Sequence, residues 1–415
     1  MSNETLSGTA PFEIQPGSYT HAILEVFGGD NNLNDFVEED LQEMAAGIGP
    51  SVIVIALADF YGHEAAVVEV TAARGCRVVE SWGEIDTGDP EILAHFLARA
   101  LSTCAGIGHL AIGFWDHGSG VFDEHDPNEV ILERRLRSVT RHRRAPSRAA
   151  RRLFISRGAL ASKPRLRAML HDDTNGGVLT NVEAKSVIAA AFSRAGRTAP
   201  VDIIFSDTCL NGMVEVLDQF KDFALAIVAS EDLEPGDGWD YTGWFQRMAA
   251  APAANADAWA QQAVEAFHAG YDGQFGAYPC TLGAFRSRHA MSEAFAALLR
   301  VCDSAGPSAF DALRAARDQS QAFANRDTYD IRDFGIQLQA VTSDAAIRSA
   351  AQSLIDAFDA AYIKHAALGS QVEQSNGLAF WFPNNRYAFN LVKETYRELE
   401  FSKATGWTDY LQLQF

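Results

Sequence analysis

Short apolar runs alternate with amphipathic stretches over the first half of the chain. His21–Phe27, Val52–Phe60, Ala65–Val70, Val78–Trp82, His109–Trp115, Val201–Ser206 and Ala224–Ser230 are rich in Val, Ile and Phe and are bounded by Gly, Asp or Asn. That pattern predicts buried strands. Phe36–Ala46, Glu91–Cys104, Asn181–Ser193 and Met213–Phe220 carry helical patterns between them. The first is acidic in its opening turn. The second is announced by Asp89 as a capping residue and Pro90 at the first helical position. Nearly all-apolar strands separated by helices predict an α/β fold with a mostly parallel sheet covered on both faces.

Past residue 250 the pattern changes. Ala254–Ala269, Arg288–Cys302, Ser308–Ala324 and Asp344–Ala367 read as Ala-rich helices, and a late strand, Gly377–Phe382, stops at Pro383. The expected organisation is a core over residues 1–250 and a mainly helical portion over 251–415, with the last strand rejoining the sheet. No internal repeat is visible.

Composition narrows the class. A chain of 415 residues, 47% hydrophobic and 21% charged, has enough apolar material for a large core, which excludes disordered and collagen-like chains. No run reaches the ~18–20 apolar residues of a membrane span. The polar stretch Met1–Tyr19 does not read as a secretory signal, so a cytoplasmic location is the expectation. Five cysteines without a CxxC pair argue against a disulfide scaffold or a Cys-rich zinc site.

The net charge of −20 conceals an asymmetry. Between Arg134 and Arg167 stand 12 Arg, one Lys and no acid; the rest holds 21 basic against all 54 acidic side chains. An acidic body is a poor nucleic-acid binder overall. The basic segment reads equally as a solvated loop, a nucleic-acid tether, or a segment held against or cut by something acidic.

Reactive residues collect at the carboxyl ends of strands in open α/β sheets. Two strands end in such residues: Leu110–Gly120 in Trp-Asp-His117-Gly118-Ser-Gly, and Val201–Gly212 in Asp207-Thr-Cys209-Leu-Asn-Gly. If the strands are adjacent, His117 faces Cys209. A thiol becomes a good nucleophile on losing its proton, which an imidazole and a helix N-terminus both favour. Cys209, placed where a strand gives way to a helix, is expected near free N–H groups. The N–H groups of Gly118 and Cys209 then form a candidate oxyanion hole. Cys76, Cys104, Cys280 and Cys302 lack a glycine-flanked His partner and read as small hydrophobes. His95, His268, His289 and His365 read as core or surface residues. Gly28–Leu33 lacks GxGxxG and the P-loop Lys, so it reads as a structural turn. Asp172-Asp-Thr-Asn-Gly-Gly resembles half a calcium loop, but its spacing is wrong for an EF-hand and a turn is the simpler reading.

These residues resemble the clostripain-type cysteine peptidases, the C11 family within the caspase-like clan. The resemblance runs from about Ala22 to Leu413. It rests above all on Trp115-Asp-His-Gly-Ser-Gly120 and Ser206-Asp-Thr-Cys-Leu-Asn-Gly212. Gly-Asp-Asn-Asn-Leu33, Gly83–Pro90, Asp172-Asp-Thr, Leu179-Thr-Asn181, Ala229-Ser-Glu, Glu234-Pro-Gly, Gly238–Thr242 and Asn376–Pro383 follow in family order. The resemblance implies a caspase-like fold and an endopeptidase, with His117 as general base and acid and Cys209 as nucleophile. It requires no third catalytic residue, so Asp116 is left as a carboxylate that orients its loop. It places Asp207 in the S1 pocket, selecting Arg and less well Lys; Asp237, Glu234 or Asp232, in the acidic loop after the Ala224–Ser230 run, is a candidate second carboxylate.

The resemblance also implies a zymogen cut in the interval between His117 and Cys209. The basic segment at 134–167 then reads as an activation linker, with Arg137, Arg144, Arg148, Arg152 and Arg157 as candidate cleavage sites, cut by the chain itself or by an upstream activating protease. A step in an intracellular bacterial regulatory or defence protease cascade is the expected setting. Calcium is a candidate ligand that the chemistry does not require. The expected partners are protein substrates with Arg at P1, with no membrane and no nucleic acid. The competing class is a catalytically silent module that binds nucleic acid through its Arg-rich arm; the intact His117, Cys209 and Asp207 weigh against it. A nucleotide-using enzyme is disfavoured by the missing phosphate loop.

Overall fold

The computed structural model describes residues 10–122, 169–272, 279–325 and 327–415. The strands are β1 (His21–Gly29), β2 (Val52–Phe60), β3 (Ala65–Thr71), β4 (Gly75–Gly83), β5 (His109–Trp115), β6 (Leu170–His171), β7 (Val178–Leu179), β8 (Val201–Asp207), β9 (Ala224–Ala229), β10 (Cys280–Arg286), β11 (Thr328–Asp330), β12 (Tyr362–Leu368) and β13 (Ala379–Trp381). Nine of them form one sheet in the order β12-β10-β9-β8-β5-β1-β2-β3-β4. The five central strands, β9 to β2 in that order, run parallel. β3 and β4 extend one edge antiparallel, and β10 and β12 the other.

The period-2 geometry of a strand sends successive side chains to opposite faces. Ala22, Leu24 and Val26 of β1 pack with helices Pro90–Thr103, Asn181–Arg194 and Val214–Phe220. Ile23 and Phe27 pack with helices Asn34–Gly47, Tyr241–Ala250 and Ala256–Tyr271. Both layers are apolar, which is why the central strands read as continuous hydrophobic runs. Asp89 caps its helix by accepting from the Glu91 N–H, with Pro90 following, and Thr180 with Glu183 closes a capping box ahead of Asn181. Among the described residues no helix is long and apolar enough to cross a membrane.

The portion after residue 250 departs from expectation at three places. Cys280–Arg286, read as no element, is a strand between β9 and β12. The helix expected over Asp344–Ala367 ends at Ala361, and Tyr362–Leu368 turns into edge strand β12. Its Ala-rich sequence continues a helical pattern, but pairing along β10 outweighs that weak preference. The late strand does not rejoin the main sheet: β13 pairs antiparallel with β11 and bridges Met213 beside the end of β8.

That docking uses a buried carboxyl. Glu215 Oε1 accepts the Trp381 N–H at 2.8 Å and the Tyr396 hydroxyl at 2.7 Å. Burial pushes the Glu215 carboxyl up to about 7, against the pull of those two bonds. A folded value above the unfolded one means the contribution is complete below about 4.5, declines as pH rises, and is gone once pH passes about 7. Thermal melts of wild type should therefore lose stability between pH 5 and 8. Glu215→Gln, which stays neutral, should lose less, by about 3 kcal/mol at ~1.4 kcal/mol per unit. Parallel curves for the two proteins would remove Glu215 from this account.

Candidate active site

The register of the two central strands builds the site. β5 and β8 are parallel neighbours with Trp115 opposite Asp207, and the Asp116 N–H continues the ladder to the Asp207 carbonyl at 3.3 Å. His117 and Cys209 each stand two residues beyond that last pair, so adjacency of the strands brings the imidazole loop against the thiol loop. A Cβ on Gly118 would lie 2.1 Å from the Cys209 carbonyl oxygen. Only glycine permits so close an approach of the two backbones. It brings the Gly118 backbone directly against that of Cys209.

The turn carrying Cys209 differs from the expected strand-to-helix junction. The helix begins only at Val214, so the thiol does not sit at its N-terminus. Leu210 adopts φ 65°, a left-handed conformation rare for a branched side chain. It is held there by Leu210 N–H to the Asp232 carbonyl (3.1 Å) and Gly212 N–H to the Ser230 carbonyl (2.6 Å). These bonds hold Cys209 and Leu210 in a turn and delay the helix. In place of a helix dipole, the Glu234 N–H points at Cys209 Sγ, 3.3 Å away. A thiolate accepts such a bond better than a thiol does. Cys104, Cys280 and Cys302 are buried, which pushes their thiols up to about 12; Cys76 is exposed, against that reading, and its thiol donates to the Leu41 carbonyl.

His117 is almost fully buried, and its Nε2 meets Asn32 Oδ1 at 2.9 Å. An amide oxygen can only accept, so Nε2 carries the proton and Nδ1 is the basic nitrogen of the neutral ring. Asp116 has no exposed surface. Its carboxylate accepts the Asn31 amide (2.8 Å) and the backbone N–H groups of His117 and His171. It orders the loop. Gly28 leaves it room, since a Cβ there would lie 2.7 Å from Asp116 Oδ2. The turn at Gly28–Leu33 is thus structural in form yet stands at the site. Its asparagines, read from sequence as turn residues, are the partners of His117 and Asp116. Their place in the family-ordered motif was the one signal available.

Beside the thiol lies a group of buried carboxyls. Asp207 Oδ2 accepts the Trp239 N–H (3.2 Å) and the Tyr241 hydroxyl (2.9 Å), and that hydroxyl also lies 2.8 Å from Glu25 Oε1. Burial pushes Asp207 up, but bonds from Glu234, Tyr241 and the Trp239 N–H oppose it. Glu25, Asp40 and Glu234 are held well above the ordinary carboxylate range, first by burial and then by the Asp207 charge. A single Tyr241 proton cannot serve two anions. Asp207, Glu25 and Glu234 therefore titrate as one coupled group, in which the Asp207 charge raises the other two. Of the other acidic candidates, Asp232 accepts the Leu233 and Ala324 N–H groups, both at 2.9 Å, and so braces backbone. Asp237 is half-buried, one residue before Gly238, where a Cβ would come within 3.2 Å of Asp207 Oδ2. Sequence reading gave no role to Glu25, remote in the chain from the Cys209 motif, or to Tyr241, which lies within the family-ordered segment Gly238–Thr242. The five arginines named as cleavage sites, Arg137, Arg144, Arg148, Arg152 and Arg157, lie outside the described residues.

A nucleophile and an imidazole at the ends of adjacent parallel strands of a caspase-like sheet define a cysteine-protease fold. The clostripain family model matches residues 26–133 and 156–413, and the chain belongs to that family of cysteine proteases. Among solved structures, a secreted C11 cysteine protease from Bacteroides thetaiotaomicron, in complex with an irreversible peptide inhibitor, superposes with a TM-score of 0.64 at 15% identity, covering 94% of this chain and 99% of that one. An inactive zymogen C11 protease from Parabacteroides distasonis does so with a TM-score of 0.64 at 16% identity, covering 94% and 99%. At these identities the likeness carries the fold. Among curated proteins none matches this sequence.

Proposed function

We propose that this chain is a latent cysteine endopeptidase that cleaves proteins after Arg, and less well after Lys, and is activated by cleavage within its Arg-rich segment. The observation that carries the reading is the Cys209 thiol, paired across the strand register with His117 and flanked by the Asp207 carboxylate. Cys209 Sγ attacks the peptide carbonyl carbon while His117 Nδ1 takes the thiol proton. The oxyanion forms between the N–H groups of Gly118 and Cys209. The C–N bond then breaks, and the leaving amine takes the proton back from His117. Water attacks the thioester with His117 again as base, releasing the carboxylate and the thiol. Asp207 meets a P1 guanidinium through charge-assisted bonds, which a planar fork makes better than an ammonium. Fluorogenic peptides differing at P1 test this: Arg should exceed Lys, with Ala and Asp far behind. Preference for P1 Asp would overturn it.

Activation by cutting suits the way the Arg-rich interval is tethered. Phe122 and Met169, which bracket it, are both buried in the core. A cut between them leaves both buried anchors and the sheet in place. Wild type is expected to convert to two fragments under activating conditions, while Cys209→Ala stays whole until active enzyme is added. If wild type and Cys209→Ala both remain single chains, self-processing is wrong. The zymogen among the solved structures supports a latent form in this fold.

Asn32 holds the imidazole through Nε2 and does not touch the reacting atoms. Asn32→Ala should lower kcat by roughly tenfold or more, part of the ~10²–10⁴ that a positioned base supplies. KM should change little and the pH profile should shift. An unaltered kcat and pH profile would deny Asn32 any role in positioning.

A further inference from the structure

We propose that Asp207 and Glu234 hold one proton between them at the floor of the S1 pocket, and that a P1 arginine expels it, so that taking up a basic substrate releases a proton. The proposal rests on the reading of Asp207 as the P1 carboxylate and adds to it a second residue and a coupled step.

The oxygens of the two side chains can be accounted for one by one. Asp207 Oδ2 accepts the Trp239 N–H and the Tyr241 hydroxyl. Glu234 Oε1 accepts the Trp239 indole N–H at 3.3 Å. Asp207 Oδ1 and Glu234 Oε2 are buried and, among the described residues, receive no N–H or O–H. Both side chains are fully buried, and the two carboxyls are bonded to each other. Such a bond exists only when one of the two carries a proton. Two bare anions in contact without water would cost far more than one. The proton belongs to the pair rather than to either residue.

The surroundings offer no other way to neutralise the pair. Among the described residues no Lys or Arg forms an ion pair with either carboxyl. The facing groups are Glu25 on β1, Asp40 on the helix Asn34–Gly47, Cys209, Tyr241, Tyr271 and the half-buried Asp237. All of them are acids. The Tyr271 hydroxyl donates to the Gly238 carbonyl, and the Tyr241 hydroxyl is already divided between Asp207 and Glu25. Gly238, whose missing Cβ would lie 3.2 Å from Asp207 Oδ2 and 3.3 Å from Asp40 Oδ2, keeps this side of the pair free of a side chain.

A guanidinium supplies the absent cation. Its planar fork of N–H donors can meet Asp207 Oδ1 and Glu234 Oε2 together, and its charge favours the ionised form of both. The Glu234–Asp207 hydrogen bond breaks, the bonding electrons stay on the carboxylate, and the proton passes to solvent. Without ligand, burial and then the Asp207 charge push Glu234 well above the ordinary carboxylate range, so the pair keeps its proton through neutral pH. With the cation bound the proton is held less tightly. Arginine affinity therefore climbs with pH between these two limits and levels off once the free pair ionises.

The test uses Cys209→Ala, both whole and cut by wild-type enzyme, in calorimetry against acetyl-Ala-Ala-Arg amide and its citrulline counterpart, a neutral isostere. Titrations in phosphate and in Tris at one pH count the protons released. The arginine peptide should release about one proton near neutral pH, and its Kd should fall by up to about tenfold per pH unit over roughly pH 6 to 8. Adding Glu234→Gln puts an amide that cannot ionise beside Asp207. That protein should match its parent at the acid end, keep a Kd nearly flat with pH and release about one proton fewer. Every other titrating group is common to the two, so the difference reads Glu234. If the parent releases no proton, or Glu234→Gln releases as many, the shared proton is wrong while the P1 assignment stands; the parent's count decides even where the variant fails to fold. If the arginine peptide binds neither form better than the citrulline peptide, the P1 assignment fails and the proposal falls with it.

Discussion

Cys209→Ala is expected to abolish peptide hydrolysis, with kcat falling by about 10⁴-fold or more, because removing the nucleophile of a covalent mechanism leaves only binding and oxyanion stabilisation. The substitution deletes one sulfur from a side chain that is almost fully buried, so the fold should survive with Tm within a few degrees of wild type. The control lies in the same chain. Cys302→Ala and Cys104→Ala remove thiols that burial holds at about 12 and should leave kcat unchanged. Alkylation by iodoacetamide, followed by mass spectrometry, should mark Cys209 before either of them. Hydrolysis surviving in Cys209→Ala would assign the chemistry elsewhere.

Asp207→Asn should cost P1-Arg peptides roughly 10²- to 10³-fold in kcat/KM, the loss of a buried charge-assisted pair worth ~3–4 kcal/mol. Peptides with P1 Ala should be nearly unaffected, so selectivity falls while the catalytic machinery remains. The amide is chosen because its oxygen still accepts from the Trp239 N–H and the Tyr241 hydroxyl, so the network keeps its shape. Removing a fully buried anion should not lower Tm. Unchanged Arg preference in Asp207→Asn would place the S1 carboxylate elsewhere, and Glu234→Gln would be the next variant to examine.

Much of the site could be read before any coordinates. The runs His109–Trp115 and Val201–Ser206 are strongly apolar and end in chemistry-bearing residues, so their placement as buried strands in one sheet followed from pattern alone. The turn at Cys209 did not. Its left-handed course after the thiol depends on bonds from Leu210 and Gly212 to Asp232 and Ser230, some twenty residues away. Glu25 illustrates the same gap from the other side. A lone acid in a run of Ala, Ile, Leu, Val and Phe signals something unusual, but nothing local names Tyr241 as its partner, 216 positions distant.

The order of strands and helices, the apolar faces of the central sheet, and the candidate nucleophile and base are carried by local periodicity and residue chemistry, which act over a few positions of the chain. The edge strands at Cys280–Arg286 and Tyr362–Leu368, the proton-sharing group around Asp207 and the hold of Asn32 on His117 arise from packing between distant segments. Burial and long-range pairing outweigh local preference there, since an edge ladder or a desolvated carboxyl is worth more than the few tenths of a kcal/mol by which one residue favours helix over strand.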